Sequence, residues 1–486
     1  MKKLLMWLLM ATVLVTLPNC GDDGDKVAPN TPNETPQKPN DEKKDEDNND
    51  DESGNITDGD PLTGKACANN EILYTTQYGY PIDLSQISGF NGYLMSNTYA
   101  NGIGRLTFNA DVTTIPDNAF KGQTSIKQII LPSILSKISS AAFSGCTSLT
   151  SINIPNSVTS IGNHAFEGCT GLTSITIPNS TTIIDNYAFS DCTCLTSITI
   201  PNGVTIIGSY AFSGCTGLTS INIPDGVSLS DHCFENTNPS EYIVGKDCSF
   251  TTKTFENCTG KLIINSTIPA AKIDPVYLKA DPRRYISYFA TSKLSSIIIG
   301  DDVTTIGDNA FANLNLKTLQ LGKKVDIPNA SIFWNLSVNN LIINCYIPDG
   351  EETGKYSYGG IFRMLKFAWD VKINSKNIGT YAFQRANILS VHLSDNVERV
   401  KAYAFFDTDL SIHIDGNPFI ENYAFYYQTS GNGVVVRCKS TIPPTISTDT
   451  FCKVYKVYVP RNAYNTYLAA ESWAPYKWAI TPYDFE

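Results

Sequence analysis

The chain has 486 residues, 42% of them hydrophobic and 17% charged, with a net charge of −11. That length exceeds one ordinary globular core. No basic stripe runs along the sequence to track a phosphate backbone, which argues against nucleic acid as the partner.

Met1-Lys2-Lys3 precedes the apolar run 4–17, which ends at Leu17-Pro18-Asn19-Cys20. A charged start and a short apolar stretch predict a secretory signal over residues 1–20, and the run is too short to span a bilayer comfortably. With Cys20 directly behind it, this end resembles a bacterial lipoprotein signal. The resemblance implies acylation of Cys20, a membrane held through lipid, and display on the bacterial cell surface or outer membrane. From Gly21 to Asp60 follow 14 acidic and 4 basic residues with almost nothing large and apolar. Such a segment cannot bury enough surface to offset its ordering entropy, so residues 21–62 are expected to form a disordered acidic tether. It also resembles the surface-export signals of some gut and oral bacterial lipoproteins; a solubilising spacer is the alternative role. The remaining chain carries only −3, so the acidity belongs to the tether.

Phe120, Phe143, Phe166, Phe189 and Phe212 then fall at one interval of 23 residues. Around each ring one phrase recurs, as in Leu149-Thr-Ser-Ile-Asn-Ile-Pro155, Val158, Ile161, Ala165-Phe166 and Cys169. A fixed period of this length with an L-x-x-L-x-L core predicts a leucine-rich solenoid. Leu149, Ile152 and Ile154 alternate inward from a short strand. Pro155 ends that strand because it cannot donate to a ladder. Val158, Ile161, Ala165 and Phe166 close the turn over the core. Looser copies centre on Phe234, Phe255, Phe311, Phe383, Phe405, Phe425 and Phe451. Insertions separate some of them, at 269–284 and 349–360. Insertions in solenoids emerge as loops on one face, often the binding face, which marks Tyr277, Tyr356 and Tyr358 as contact candidates, with packing against the solenoid as the competing role.

The stretch from Ile154 to Ile175 closely follows I-P-x-x-V-x-x-I-G-x-x-A-F-x-x-C-x-x-L-x-x-I, and over residues 105–460 the chain resembles the BspA-type leucine-rich repeat family of bacterial surface proteins. The resemblance implies a β-rich leucine-rich-repeat solenoid of about 23-residue repeats over 111–433, a strand-rich N-terminal cap over 63–110, and a C-terminal repeat and cap over 434–486. It also implies a binding or adhesion role, with no catalytic residues to carry over.

Candidate chemistry is sparse. Cys146, Cys169, Cys192, Cys215 and Cys258 each follow a repeat Phe by three residues. Equivalent side chains on stacked rungs point the same way, whereas a disulfide needs converging Cβ vectors; the column reads as buried free thiols. His164 and His232, on turns, read as exposed polar positions. His392 and His413 fall at outward strand positions on adjacent rungs, an open-face pair without a third metal ligand. No nucleophile elbow, zinc motif or phosphate loop is present, so no enzyme, metal or cofactor is expected. The outward strand positions Ser151, Asn153, Ser174, Thr176, Ser197, Thr199, Ser220 and Asn222 form a flat polar ramp. Binding energy favours Trp, Tyr and Arg, which places the expected contact surface at 270–430, with Trp369, Lys372, His392 and His413 joining the loop tyrosines. The partner class expected is an extracellular protein or cell-surface ligand; a glycan gripped by loop aromatics is the alternative.

Overall fold

A computed structural model describes residues 61–485 apart from 63, 84–86, 269–286, 328, 354–356, 409 and 427–432, with side chains left out at 351–359. Cys20, Tyr277 and Tyr356 therefore lie outside the described residues, as does the Tyr358 side chain. Residues 64–486 form one compact unit, a β-solenoid of about fifteen turns.

Each turn contributes one strand to a long ladder. In the regular part these are Ser151–Asn153, Ser174–Thr176, Ser197–Thr199 and Ser220–Ile223. From Ser220 onward a single parallel sheet continues through Glu241–Val244 and ten further strands to Ile480–Tyr483. Where strands pair they do so in register, Ile175 with Ile198 and Ile221 with Tyr242 and then Leu262, and Ile152 is buried at the equivalent inward position. A second ladder of two-residue strands stacks Ile115, Ile138, Ile161, Ile184, Ile207 and Leu229. Both ladders alternate side chains inward and outward, so one short strand per turn is enough to line a continuous core.

Between the ladders runs a column of phenyl rings. Phe120, Phe143, Phe166, Phe189 and Phe212 are fully buried. Successive ring centroids lie 5.2, 5.3, 5.2 and 5.4 Å apart, with planes within 7° of parallel. Burying each ring contributes roughly 2–3 kcal/mol, and each stacked pair about 0.5–1.5 kcal/mol beyond that. The column does not stop where the sequence period fails. Phe289, Phe333 and Phe362, which the period does not flag, fill its gaps and stack on Phe311 and Phe383. Tyr288, in the same turn as Phe289, is buried with its hydroxyl donating to the Phe250 carbonyl, so it packs and does not reach outward.

The cysteine column is buried and free, as expected. Its geometry adds a reason for the residue type: each thiol donates to the carbonyl of the Phe one rung back, Cys146 to Phe120 at 3.0 Å and Cys169 to Phe143 at 3.2 Å. A small apolar group with one weak donor fits a slot beside a carbonyl.

The turn before each Phe is left-handed. His164, Tyr187, Tyr210 and His232 have φ between 56° and 60°, a conformation that costs a non-glycine residue about 1–2 kcal/mol. It is held by hydrogen bonds between turns: His164 and Tyr187 donate from their amides to the carbonyls of Asn186 and Ser209 at 2.9 Å. The four rings stack at 4.6, 4.8 and 4.7 Å. This corrects the reading of His164 and His232 as simply exposed. They terminate an aromatic stack, and the Glu235 and Glu256 carboxylates lie 3.4 and 3.2 Å from the His232 Nδ1.

The ladder begins at β1 (Glu71–Thr76), β2 (Leu94–Ala100) and β3 (Ile103–Phe108). These add antiparallel to the solenoid in the order β2–β3–β1–Ile126–Ile130. At the other end α1 (Tyr464–Ala469) and the 3-10 segment Glu471–Ala479 bring Trp473 and Tyr476 over the last phenyl of the column, Phe451, with Tyr467 packed on Trp473. The Trp473 indole donates to the Pro444 carbonyl at 2.8 Å.

Candidate interaction surface

Side chains that alternate outward from the long ladder form two columns, set by the same register that fixes the core. On the regular turns Ser151, Asn153, Ser174, Thr176, Ser197, Thr199, Ser220 and Asn222 are all exposed, and the polar ramp is as expected.

The next turns depart from that pattern in a way the sequence reading missed. Asn222 is followed in its column by Ile243, Ile263 and Ile298, paired one above another. Gln320 interrupts and Ile342 resumes. These β-branched side chains are half-buried although they point away from the core. Beside them Glu241 and Lys261 form an ion pair at 2.7 Å. The signal was present: once Tyr242 and Val244 are placed inward, Ile243 must face out.

The same column then becomes cationic and aromatic: Lys372, His392, His413, Arg437 and Tyr458 follow Ile342 in register. The structure thus brings Lys372, His392 and His413 together as neighbours. His392 and His413 stack at 4.1 Å with planes 8° apart. Asp370 holds the His392 Nε2 at 3.2 Å, while Arg437 donates to the Ser411 hydroxyl at 3.2 Å, beside the His413 Nε2. Burial, then the neighbouring His392 and then the Arg437 charge push the His413 imidazole down to about 4. It is neutral at pH 7, which allows two imidazoles to stack without repulsion. Arg437 and Lys456 lie over the Tyr458 ring at 5.3 and 5.0 Å from its centroid.

Trp369 lies three positions before Lys372 on the same strand, 49% exposed and edge-on to Phe367. Leu389 on the next turn and Tyr455 further along are also exposed.

The histidine pair does not fit a metal. An imidazole lone pair lies in its ring plane and a zinc ion must sit about 2.0 Å from each nitrogen. Parallel rings stacked face to face cannot both aim at one such point. Among the described residues no group of three His, Cys, Asp or Glu is arranged to hold an ion.

Against this geometry, a family model described as the BspA-type leucine-rich repeat region matches residues 96–152, 136–262, 285–411 and 354–432. The chain belongs to the BspA-type leucine-rich repeat family. No curated protein matches it. Among solved structures, the leucine-rich repeat protein of T. pallidum is 34% identical over 28% of this chain and 69% of its own, with a TM-score of 0.25. A leucine-rich repeat protein from Bacteroides ovatus is 20% identical over 80% and 90% of the two chains, with a TM-score of 0.29. A leucine-rich cell surface protein from Faecalibacterium prausnitzii is 21% identical over 66% and 86%, with a TM-score of 0.30.

Proposed function

We propose that this protein is a non-enzymatic surface-binding protein that engages an extracellular protein or another cell's surface through the strand face from Glu241 to Tyr458. The carrying observation is the change in the outward columns. Small hydroxyl and amide groups give way there to an isoleucine stripe, then to Lys372, His392, His413 and Arg437, with Trp369 beside them. Membership of the BspA-type family supports a binding or adhesion role. Ten strands at about 4.8 Å give a surface roughly 43 Å long and about 15 Å wide, near the ~800 Å² that a standard interface takes from each partner. An aliphatic stretch that runs on into a cationic and aromatic one suits a folded protein better than a sugar.

Purified protein should be screened against a panel of matrix proteins and a glycan array. A protein ligand bound by the wild type should be lost in Ile263→Lys and weakened in Arg437→Glu. Removing whole turns between residues 150 and 220, in register, should leave it bound. Sugar binding abolished by Trp369→Ala, with no protein ligand, would replace this reading by the glycan one. The same reading includes display through an acylated Cys20: radiolabelled palmitate should enter the wild type and not Cys20→Ala, and absence of label from both removes the anchor.

A further inference from the structure

The strand ladder has two ends, and they are finished differently. At the C-terminal end the outermost strand, Ile480–Tyr483, is four residues long and contains Pro482, which has no amide to donate. Arg461 and Asp484 form an ion pair next to it at 2.9 Å. Short strands, proline and charge are the usual means of keeping a sheet edge from pairing.

At the N-terminal end the outermost strand is β2, seven residues long, with neither a charged residue nor a proline. β2 and β3 are joined by Asn101-Gly102, both at positive φ (51° and 76°), the two-residue turn that matches strand twist. Such a turn makes Ala100 and Ile103 a hydrogen-bonded pair, and the pairs then alternate along the hairpin. Thr98 with Arg105 is hydrogen-bonded; Tyr99 with Gly104 and Asn97 with Leu106 are not. The backbone N–H and C=O of Asn97 and Tyr99 therefore point away from β3. No other backbone group among the described residues pairs with them. Only the bulge near Met95 interrupts this edge. Around it Met95, Tyr93, Tyr78 and Tyr80 are each more than 60% exposed.

We propose that β2 is a homodimerisation edge that pairs antiparallel with β2 of a second copy about a two-fold axis through Thr98. Antiparallel self-pairing about that residue places Asn97 opposite Tyr99 of the partner subunit, and Tyr99 opposite Asn97 of the partner subunit. Both are hydrogen-bonded pairs, each exchanging two bonds. A second copy is the occupant because the outward groups are self-complementary about one residue, and because an uncharged strand meets no repulsion from its own image. Thr98 would face its symmetry mate across a close, non-hydrogen-bonded pair, an arrangement that threonine pairs favour. The two solenoids would share one continuous sheet, head to head, leaving the surface between Glu241 and Tyr458 open on both. This is independent of what that surface binds.

Sedimentation velocity on the full chain, in detergent so that the apolar leader does not itself associate, tests the proposal. The wild type should be a concentration-dependent dimer. Thr98→Lys and Thr98→Glu should each weaken it by about tenfold or more, since like charges directly opposite are destabilising. An equimolar mixture of the two variants should restore a dimer containing one of each. Thr98 is exposed on the sheet, and unchanged circular dichroism will confirm that each variant is folded. A wild type that stays monomeric at every concentration overturns the proposal, as does a dimer indifferent to both charges or a mixture that fails to re-form.

Discussion

The turns from Phe120 to Phe234 and those from Glu241 to Tyr458 share one core and differ in almost everything that faces out. In the first set the outward positions of the long strands repeat from Ser151 to Asn222, as Ser, Thr or Asn. In the second the inward columns persist through insertions of many residues, while the outward column runs Ile, Ile, Ile, Gln, Ile, Lys, His, His, Arg, Tyr. Stacking constrains only what is buried, so the fold and the surface can change separately. On the function proposed above, the regular set is scaffold and the irregular set is the contact surface.

The sharpest way to break that comparison is to test whether the core is energetically one. Phe189→Ala, in the regular set, and Phe383→Ala, stacked at 4.2 and 4.8 Å in the irregular set, should each cost about 3–5 kcal/mol in urea unfolding. A much smaller loss at Phe383 would mean that the second half is loosely packed. Thiol chemistry separates the two sets next. Burial pushes Cys146 up to about 12, so its thiolate at pH 8 is scarce and alkylation should require unfolding. Cys452, exposed among the later turns, should react in the native protein. Labelling of Cys146 without denaturant would show that the regular turns open.

The third test is pH, and it should register only in the irregular set. The folded His413 is depressed from 6.5 to about 4, so between these values the unfolded chain binds the extra proton. Stability is therefore full above about 6.5 and falls as pH drops towards 4. Because the ring is only half-buried, solvent screening reduces the effect to about 1–2 kcal/mol. His413→Gln should flatten the slope of unfolding free energy against pH by that amount, and an unchanged slope would refute the assignment. The smallest effect lies in the regular set. Asp191 occupies, at φ 57°, the left-handed position that Gly168 and Gly214 fill on its neighbours. Asp191→Gly should stabilise by about 0.5 kcal/mol, the strain relieved less the extra freedom of the unfolded glycine. A loss of midpoint in urea would show that the Asp side chain contributes something the strain argument omits.

How far the sequence could be read follows the same division. The phenyl column was legible wherever the spacing held, and it led straight to the repeat, the inward strand positions and the buried thiols. Phe289, Phe333 and Phe362 were not, because insertions change the spacing while leaving the slot in space unchanged. The adjacency of His392 and His413 could be read, since both strands align with the template. Their stacking and the depressed His413 could not, because burial, its largest cause, and the approach of His392 and Arg437 arise only once the turns are stacked. The isoleucine stripe was overlooked because Ile243, Ile263 and Ile298 look like core residues until the register of their strands is fixed. His164 and His232 were misjudged because stacking between left-handed turns has no one-dimensional signature.

Backbone hydrogen bonds that join one turn to the next run along the solenoid axis, and among the described residues they link adjacent turns. A partner gripping the irregular turns while the other end is held would therefore stretch the molecule one interface at a time. Every interface that opens pays out a single turn of slack, so tension is shed in small steps and the remaining turns stay wound.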